Sequence, residues 1–141
     1  ILGVSMGAFA AVRLGLTYPE RFKAVCSLSA PIDLKTAVET LRDNLKDCRR
    51  RAFCSVYGSV EQFAASDSDI MRLIKLASPS SAPFVYLYAG RNDPLLPLNE
   101  RVAETMRARG MAVALETDDG AHDWQSWDRQ AKKFIETYVG K

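Results

Sequence analysis

Apolar residues along this chain follow two patterns: short continuous runs, and longer stretches in which they recur every three or four positions. A short apolar run bounded by turn residues is typical of a buried strand, whereas the longer period is typical of an amphipathic helix. The run at 84–89 is the strongest strand signal, and the first residues read as the end of another buried strand. The predicted strands are residues 1–2, 22–28, 84–89 and 111–117.

Segments of helical period separate these strands. The predicted helices are residues 6–18, 34–47, 97–109 and 123–138, with shorter ones at 59–65 and 69–77 inside a less regular stretch. Because parallel strands need long crossover connections, this alternation predicts a parallel sheet flanked by helices on both faces. The fold class is therefore α/β, and ligands are expected at the carboxyl ends of the strands.

The length of 141 residues fits one domain and leaves no room for a second. Since the chain starts in the middle of a strand-like run, we expect residues 1–141 to be a single, partial domain. A small cap-like insertion is expected at about 31–80. Any targeting signal would belong to a preceding segment, and a cytoplasmic location is the working expectation.

Charge and cysteine content exclude several classes of function. A net charge of +2 is too small to indicate a nucleic-acid partner, and the basic run at 49–51 reads as a solvated helix end. No apolar run approaches the roughly 18–20 residues of a membrane span. Cys26 fits a buried strand, whereas Cys48 and Cys54 are expected to be reduced, with pairing as the alternative in an oxidising compartment. One histidine and three scattered cysteines do not predict a metal site.

The residues Gly-Val-Ser-Met-Gly at 3–7 fit the G-x-S-x-G nucleophile elbow. In this motif a sharp strand-to-helix turn exposes a serine hydroxyl, and the flanking glycines keep Cβ atoms out of tight packing. The motif arises by chance in roughly one chain in twenty of this length. Here an apolar strand end precedes it and an alanine-rich helix follows, so Ser5 is the candidate nucleophile.

A serine hydroxyl is a weak nucleophile until a base takes its proton and a carboxylate orients that base. The only histidine, His122, lies in the loop after the last predicted strand, at the sheet edge where the elbow serine must also lie. Asp93 follows the strand at 84–89 and is the candidate acid, although its Asn-Asp-Pro context is also ordinary turn chemistry. Asp33, after the preceding strand, is the alternative acid.

The order Ser5, Asp93, His122 along the chain is that of the α/β-hydrolases and differs from those of chymotrypsin and subtilisin. Asp118 and Asp119 are close to the histidine in sequence. They belong to its own loop, however, and are therefore expected to orient it poorly.

With these residues the sequence resembles the esterase branch of the α/β-hydrolases that contains the tributyrin esterases and the esterase D-like S-formylglutathione hydrolases. The resemblance covers nearly the whole chain, and its most specific part is the histidine turn. The matching motifs lie at 3–7, 57–59 with 66–69, 90–93 with Asn99, and 120–124 with 127–128. Two features depart from the family pattern: Ala8 stands where a second glycine is common, and the stretch at 48–54 matches no pattern.

The resemblance implies the C-terminal half of an α/β-hydrolase that hydrolyses short acyl esters or thioesters without a cofactor. The expected mechanism passes through an acyl-enzyme, with the backbone N–H of Met6 as one oxyanion donor and a second N–H from the loop after the third strand. Two alternatives stay open: an acyltransferase on the same scaffold, and a non-catalytic hydrolase-like binding module. The oligomeric state is not readable from the sequence.

Overall fold

The structure is a computed structural model that describes residues 1–39 and 48–139. Its strands form one parallel sheet in the order β1-β2-β3-β4, so the α/β class and the sequential strand order are as predicted. A right-handed crossover that keeps its helices on one face places each new strand beside the previous one. The strands are β1 (Leu2–Val4), β2 (Ala24–Leu28), β3 (Phe84–Tyr88) and β4 (Val113–Glu116).

Helices connect consecutive strands and follow the last one. Helix α1 (Met6–Thr17) and a 3₁₀ turn (Pro19–Arg21) link β1 to β2, and α6 (Leu96–Ala108) links β3 to β4. Helix α7 (Trp124–Phe134) follows β4 and continues into a π-helical turn (Ile135–Val139). The connection from β2 to β3 contains α2 (Leu34–Glu39), α3 (Cys48–Tyr57), α4 (Val60–Ala65) and α5 (Ile70–Leu76).

The core has two layers because successive strand residues point to opposite faces of a sheet. On one face, Val25, Val85 and Leu87 pack against apolar side chains of α1, α5 and α6. On the other face, the sheet residues pack against α7, whose buried aromatic residues are Trp127 and Phe134. Fully buried on that second face are Cys26, Leu28, Tyr86 and Tyr88. Helices therefore flank the sheet on both sides, as predicted.

Helix α3 lies in the less regular stretch, where the sequence predicts helices only at 59–65 and 69–77, so this helix is an addition to the prediction. The helix buries only Phe53, too little apolar periodicity to read from the sequence. That ring packs against Tyr57 and Phe63, with centroid distances of 5.1 and 5.2 Å. The predicted helix at 34–47 is observed as α2 over its first part, and its remaining positions lie outside the described residues. A cap role for this segment stays a prediction.

The strands are one to two residues shorter than predicted at several ends. The strand expected at 22–28 begins at Ala24, because Phe22 closes the 3₁₀ turn by donating its N–H to the Pro19 carbonyl. The strand expected at 111–117 begins at Val113, because the Met111 N–H bonds back to α6. Within the described ranges, no helix is long and apolar enough to cross a membrane.

Candidate active site

Ser5 stands between β1 and α1 in a strained backbone conformation. Its φ of 52° and ψ of −120° are rare for a residue with a side chain, and its N–H donates to the Leu28 carbonyl at 2.8 Å. Ser5 is the N-cap residue of α1, yet its hydroxyl makes no capping hydrogen bond. The hydroxyl is therefore free to bond a group outside the helix.

The two glycines of the motif differ in what they do. A Cβ at Gly3 would collide with the backbone carbonyl of Gly7, so the tight approach of strand and helix requires glycine at position 3. A Cβ at Gly7 would meet no described atom within 4 Å. The prediction that both glycines relieve crowding is therefore confirmed for Gly3 and stays a prediction for Gly7.

Two hydrogen bonds join the three candidate side chains in series. Ser5 Oγ is 3.1 Å from His122 Nε2, and Asp93 Oδ2 is 3.1 Å from His122 Nδ1. The Asp93 side chain is fully buried, whereas that of His122 is 33% exposed. Because a carboxylate can only accept, this geometry favours the tautomer with its proton on Nδ1, which leaves Nε2 to accept from the serine hydroxyl.

The alternative acid, Asp33, has other partners. Its carboxylate accepts hydrogen bonds from the N–H and hydroxyl of Thr36 at 3.2 and 2.9 Å. It also pairs with Arg101 at 3.1 Å, although Asp33 itself is 2% exposed. Asp33 therefore connects α2 to α6, while Asp93 is the carboxylate that meets the imidazole.

Asp118 holds the loop that carries His122. Its Oδ1 accepts from the Tyr88 hydroxyl at 2.6 Å and the Gly120 N–H at 2.8 Å, and its Oδ2 accepts from Arg129 at 2.7 Å. Two effects act on the pKa of Asp118: partial burial favours a higher value, and the hydrogen bonds from Tyr88, Arg129 and Gly120 favour a lower one. The hydrogen bonds outweigh the burial, so the pKa lies well below its usual range. Asp119 makes a surface ion pair with Arg91 at 2.6 Å.

The acid turn and the histidine turn contact each other through their backbones. The backbone N–H of Asn92 donates to the Gly120 carbonyl at 3.0 Å, and its side-chain Nδ2 donates to the Asp119 carbonyl at 2.9 Å. A Cβ at Gly90 would collide with that same Gly120 carbonyl. The contact places the Asp93 and His122 turns side by side. Each turn contains a glycine, but no local sequence pattern indicates that Gly90 and Gly120 approach each other.

The start of α7 fixes the other side of the His122 loop. Asp123 caps the helix by accepting from the Ser126 N–H at 2.8 Å, and the Ser126 hydroxyl accepts from the Ala121 N–H at 3.3 Å. The bond from Ser126 lowers the pKa of Asp123. His122 thus lies between two residues whose positions are set by the helix terminus. An acidic residue just before a helical period is a recognisable capping signal.

The backbone N–H of Met6, which the sequence predicts to be an oxyanion donor, directly follows Ser5 in the chain. Met6 is the first residue of α1, so its N–H has no partner within the helix. Its side chain is exposed beside Ser5. In the described ranges, no group of three or more histidine, cysteine or acidic side chains is arranged to hold a metal ion.

A parallel sheet in sequential order, a strained serine at a strand-to-helix turn and a histidine after the last strand together define an α/β-hydrolase fold. The comparison with known families agrees with this class. A family model described as "Putative esterase" matches residues 1–135. The chain therefore belongs to this esterase family.

The chain is also similar to known proteins in sequence and in fold. The chain is 31% identical over 142 residues to an acetyl esterase of Caldicellulosiruptor saccharolyticus, covering 95% of this chain and 52% of the relative. S-formylglutathione hydrolase of Staphylococcus aureus superposes with a TM-score of 0.79 at 23% identity, covering 96% of this chain and 52% of that one. A fluorophosphonate-binding serine hydrolase of the same organism gives 0.82 at 22%, with coverages of 100% and 54%. The chain spans about half the length of these relatives.

Proposed function

We propose that the chain carries the catalytic residues of a serine esterase that hydrolyses short-chain acyl esters or thioesters through an acyl-enzyme. The observation that carries the proposal is the hydrogen-bonded line from Ser5 through His122 to Asp93. Each member follows a different strand of one parallel sheet, so the three groups meet at its carboxyl edge. Membership of the esterase family supports the same reaction.

In the proposed first half-reaction, Ser5 Oγ attacks the carbonyl carbon of the ester while His122 Nε2 takes the hydroxyl proton. Asp93 keeps the imidazole in its productive tautomer and stabilises the imidazolium. The oxygen of the tetrahedral intermediate, now negatively charged, accepts from the Met6 N–H and from a second backbone N–H in the loop after the third strand of a complete hydrolase sheet. The imidazolium then protonates the departing alcohol or thiol, and the acyl group stays on Ser5.

In the second half-reaction, His122 Nε2 takes a proton from a water molecule as its oxygen attacks the acyl carbon. A second tetrahedral intermediate collapses, the imidazolium returns a proton to Ser5 Oγ, and the carboxylic acid leaves. The sum is ester plus water giving acid plus alcohol. No cofactor enters either half-reaction, because the hydroxyl and the imidazole supply the nucleophile and carry every proton.

The names of two relatives support a short acyl group. One is an acetyl esterase at 31% identity, and the other is a structural neighbour that acts as an S-formylglutathione hydrolase. Acetyl and formyl groups are small acyl groups, one carried as an ester and the other as a thioester. We therefore propose p-nitrophenyl acetate as a first ester substrate and S-formylglutathione as a first thioester substrate.

The test uses the full-length natural protein with Ser5→Ala and, as a matched control, Ser80→Ala, which changes an exposed serine in the loop before β3. Ser5→Ala should remove ester hydrolysis while leaving the unfolding midpoint unchanged, and Ser80→Ala should retain full turnover. Turnover that survives in Ser5→Ala would reject the proposal. Product analysis with an added alcohol distinguishes water from an acceptor hydroxyl: a new ester in place of free acid would identify an acyltransferase.

A further inference from the structure

A buried tryptophan packs against the imidazole of His122. The ring of Trp127 lies perpendicular to that of His122, with centroids 4.9 Å apart and an interplanar angle of 87°. Trp127 is on the first turns of α7, is 7% exposed and belongs to the apolar layer between α7 and the sheet. The indole is therefore a buried ring on a helix, and it packs against a histidine that lies in a loop.

A serine at the carboxyl end of β2 holds the indole in place. Trp127 Nε1–H donates to the Ser29 hydroxyl at 2.9 Å, and both groups are buried. Ser29 is fully buried, has a φ of 55°, and donates its N–H to the Tyr88 carbonyl at 2.6 Å. Glycine adopts such a φ without strain, whereas a serine at this position supplies a hydroxyl and leaves the backbone strained.

We propose that Ser29 and Trp127 are positioning residues that keep the His122 imidazole in place during deacylation. The inference rests on the proposed function. In the free protein, one ring nitrogen of His122 meets Ser5 and the other meets Asp93. In the acyl-enzyme, Ser5 Oγ is esterified and has no proton to donate, so the first of these hydrogen bonds is lost. The ring must nevertheless stay in place to take a proton from water.

Of these contacts on the ring, two then remain, the Asp93 carboxylate and the perpendicular ring of Trp127. A single hydrogen bond at Nδ1 leaves the imidazole free to swing about that bond, and a buried perpendicular ring restricts the swing. Displacement of a catalytic group by about 1 Å can cost as much as 10²-fold in rate. Loss of the Ser29–Trp127 hydrogen bond should therefore slow deacylation more than acylation.

The experiment measures the two half-reactions separately with p-nitrophenyl acetate in the full-length natural protein. The initial burst of p-nitrophenol gives the acylation rate, and the loss of the acetyl mass from the protein gives the deacylation rate. The variants are Ser29→Gly, which removes the hydroxyl and relieves the backbone strain, Trp127→Phe, which keeps a ring without its N–H, and the double variant. Ser27→Ala is the control, because its buried hydroxyl lies two residues before Ser29, on β2, and has no partner among the described groups.

Ser29→Gly and Trp127→Phe should each slow deacylation by about tenfold, while acylation changes by less than about threefold. Because kcat/KM reports only the steps through acylation, kcat and KM should fall together, a pattern that simple loss of folded protein does not produce. Removal of the hydroxyl should have no further effect in the Trp127→Phe background, because Ser29 acts through the indole N–H. Ser27→Ala should deacylate at the wild-type rate.

A deacylation rate in Ser29→Gly equal to that of wild type would overturn the proposal. So would a double variant that deacylates more slowly than Trp127→Phe by the same factor that Ser29→Gly alone loses. If one variant does not fold, the deacylation rate of the other is sufficient to support or reject the proposal. A wild-type protein that does not hydrolyse p-nitrophenyl acetate, or that hydrolyses it no faster than Ser5→Ala does, would instead refute the proposed esterase mechanism. The two failures are thus distinguishable.

Discussion

Two aspartates follow neighbouring strands at the same edge of the sheet, and their surroundings differ. Asp93, after β3, is fully buried and accepts from one ring nitrogen of His122 and from the Leu95 N–H at 2.9 Å. Asp118, after β4, accepts from Tyr88, Arg129, Gln130 and the Gly120 N–H, at distances from 2.6 to 3.1 Å. Both are Asp residues after a strand, but only Asp93 faces the imidazole.

The different hydrogen-bond partners indicate that the two carboxylates have different roles. The oxygens of Asp118 are occupied by donors from β3, its own loop and α7, so this residue holds the backbone of the loop that carries His122. Asp93 has an oxygen directed at the imidazole, and in the proposed mechanism it orients the ring. Position after a strand is therefore not enough to identify a catalytic acid, and the donors that surround the carboxylate decide its role.

The largest effect is expected for Asp93→Asn. The amide still has an oxygen to accept the Leu95 N–H, so the fold should be retained, but its NH₂ group favours the wrong imidazole tautomer. The analogous change in a serine protease with a Ser-His-Asp triad lowers kcat by roughly 10⁴-fold, and we expect a loss of about 10³–10⁴ here. Steady-state kinetics on p-nitrophenyl acetate give the ratio. An equal or greater loss in the control Asp33→Asn would move the acid to Asp33.

Asp118→Asn should mainly affect stability. It replaces a carboxylate that accepts several hydrogen bonds, two of them from Arg129. We expect a loss of about 1–3 kcal/mol in the free energy of unfolding, with kcat per folded molecule lowered less than tenfold. Urea unfolding and active-site titration measure the two quantities. A kcat loss as large as that of Asp93→Asn, without a change in stability, would remove the distinction between the two residues.

The acid dependence of stability should sharpen the same contrast. Because the pKa of Asp118 is lower in the folded chain than its ordinary value of about 3.9, the ionised group stabilises the fold at pH values above that value. This contribution is lost as the pH falls below about 4 toward the folded pKa. The stability gap between wild type and Asp118→Asn should therefore shrink in acid. A gap that stays constant from pH 6 to pH 3 would contradict this account.

Tyr88→Phe should have the smallest effect of the series. It removes one donor to Asp118, which keeps Arg129, Gln130 and the Gly120 N–H. We expect a loss of about 1 kcal/mol in the free energy of unfolding and little change in kcat. Chemical denaturation of the two proteins side by side measures it. If Tyr88→Phe costs as much stability as Asp118→Asn, the tyrosine hydroxyl rather than the shared carboxylate holds the loop.

The sequence was sufficient to predict the sheet and the order of its strands. Apolar runs with helical segments between them specify a parallel sheet, and all carboxyl ends of such a sheet lie at one edge. Ser5, Asp93 and His122 each follow a predicted strand, and the structure brings those three side chains together. Their chemical roles stay predictions. The family assignment rested on local motifs that the family model also matches.

Contacts between distant segments could not be read from the sequence. The approach of Gly90 to Gly120 and the bond from Trp127 to Ser29 join residues on different loops and elements, and no local pattern specifies such pairs. Helix α3 was missed because it buries one aromatic side chain and has a largely polar surface. The sequence predicts that Asp118 orients His122 poorly. It does not predict that Asp118 holds the loop, because the donors from Tyr88 and α7 come close only in the folded chain.

The most direct test of the central claim is covalent capture of Ser5. A fluorophosphonate reacts with a serine hydroxyl only when a neighbouring base activates it. Peptide mapping of the full-length natural protein should locate the adduct at Ser5, with labelling absent in Ser5→Ala, slowed by orders of magnitude in Asp93→Asn and nearly unchanged per folded molecule in Asp118→Asn. An adduct at another serine, or labelling of Ser5 at the wild-type rate in Asp93→Asn, would contradict the account.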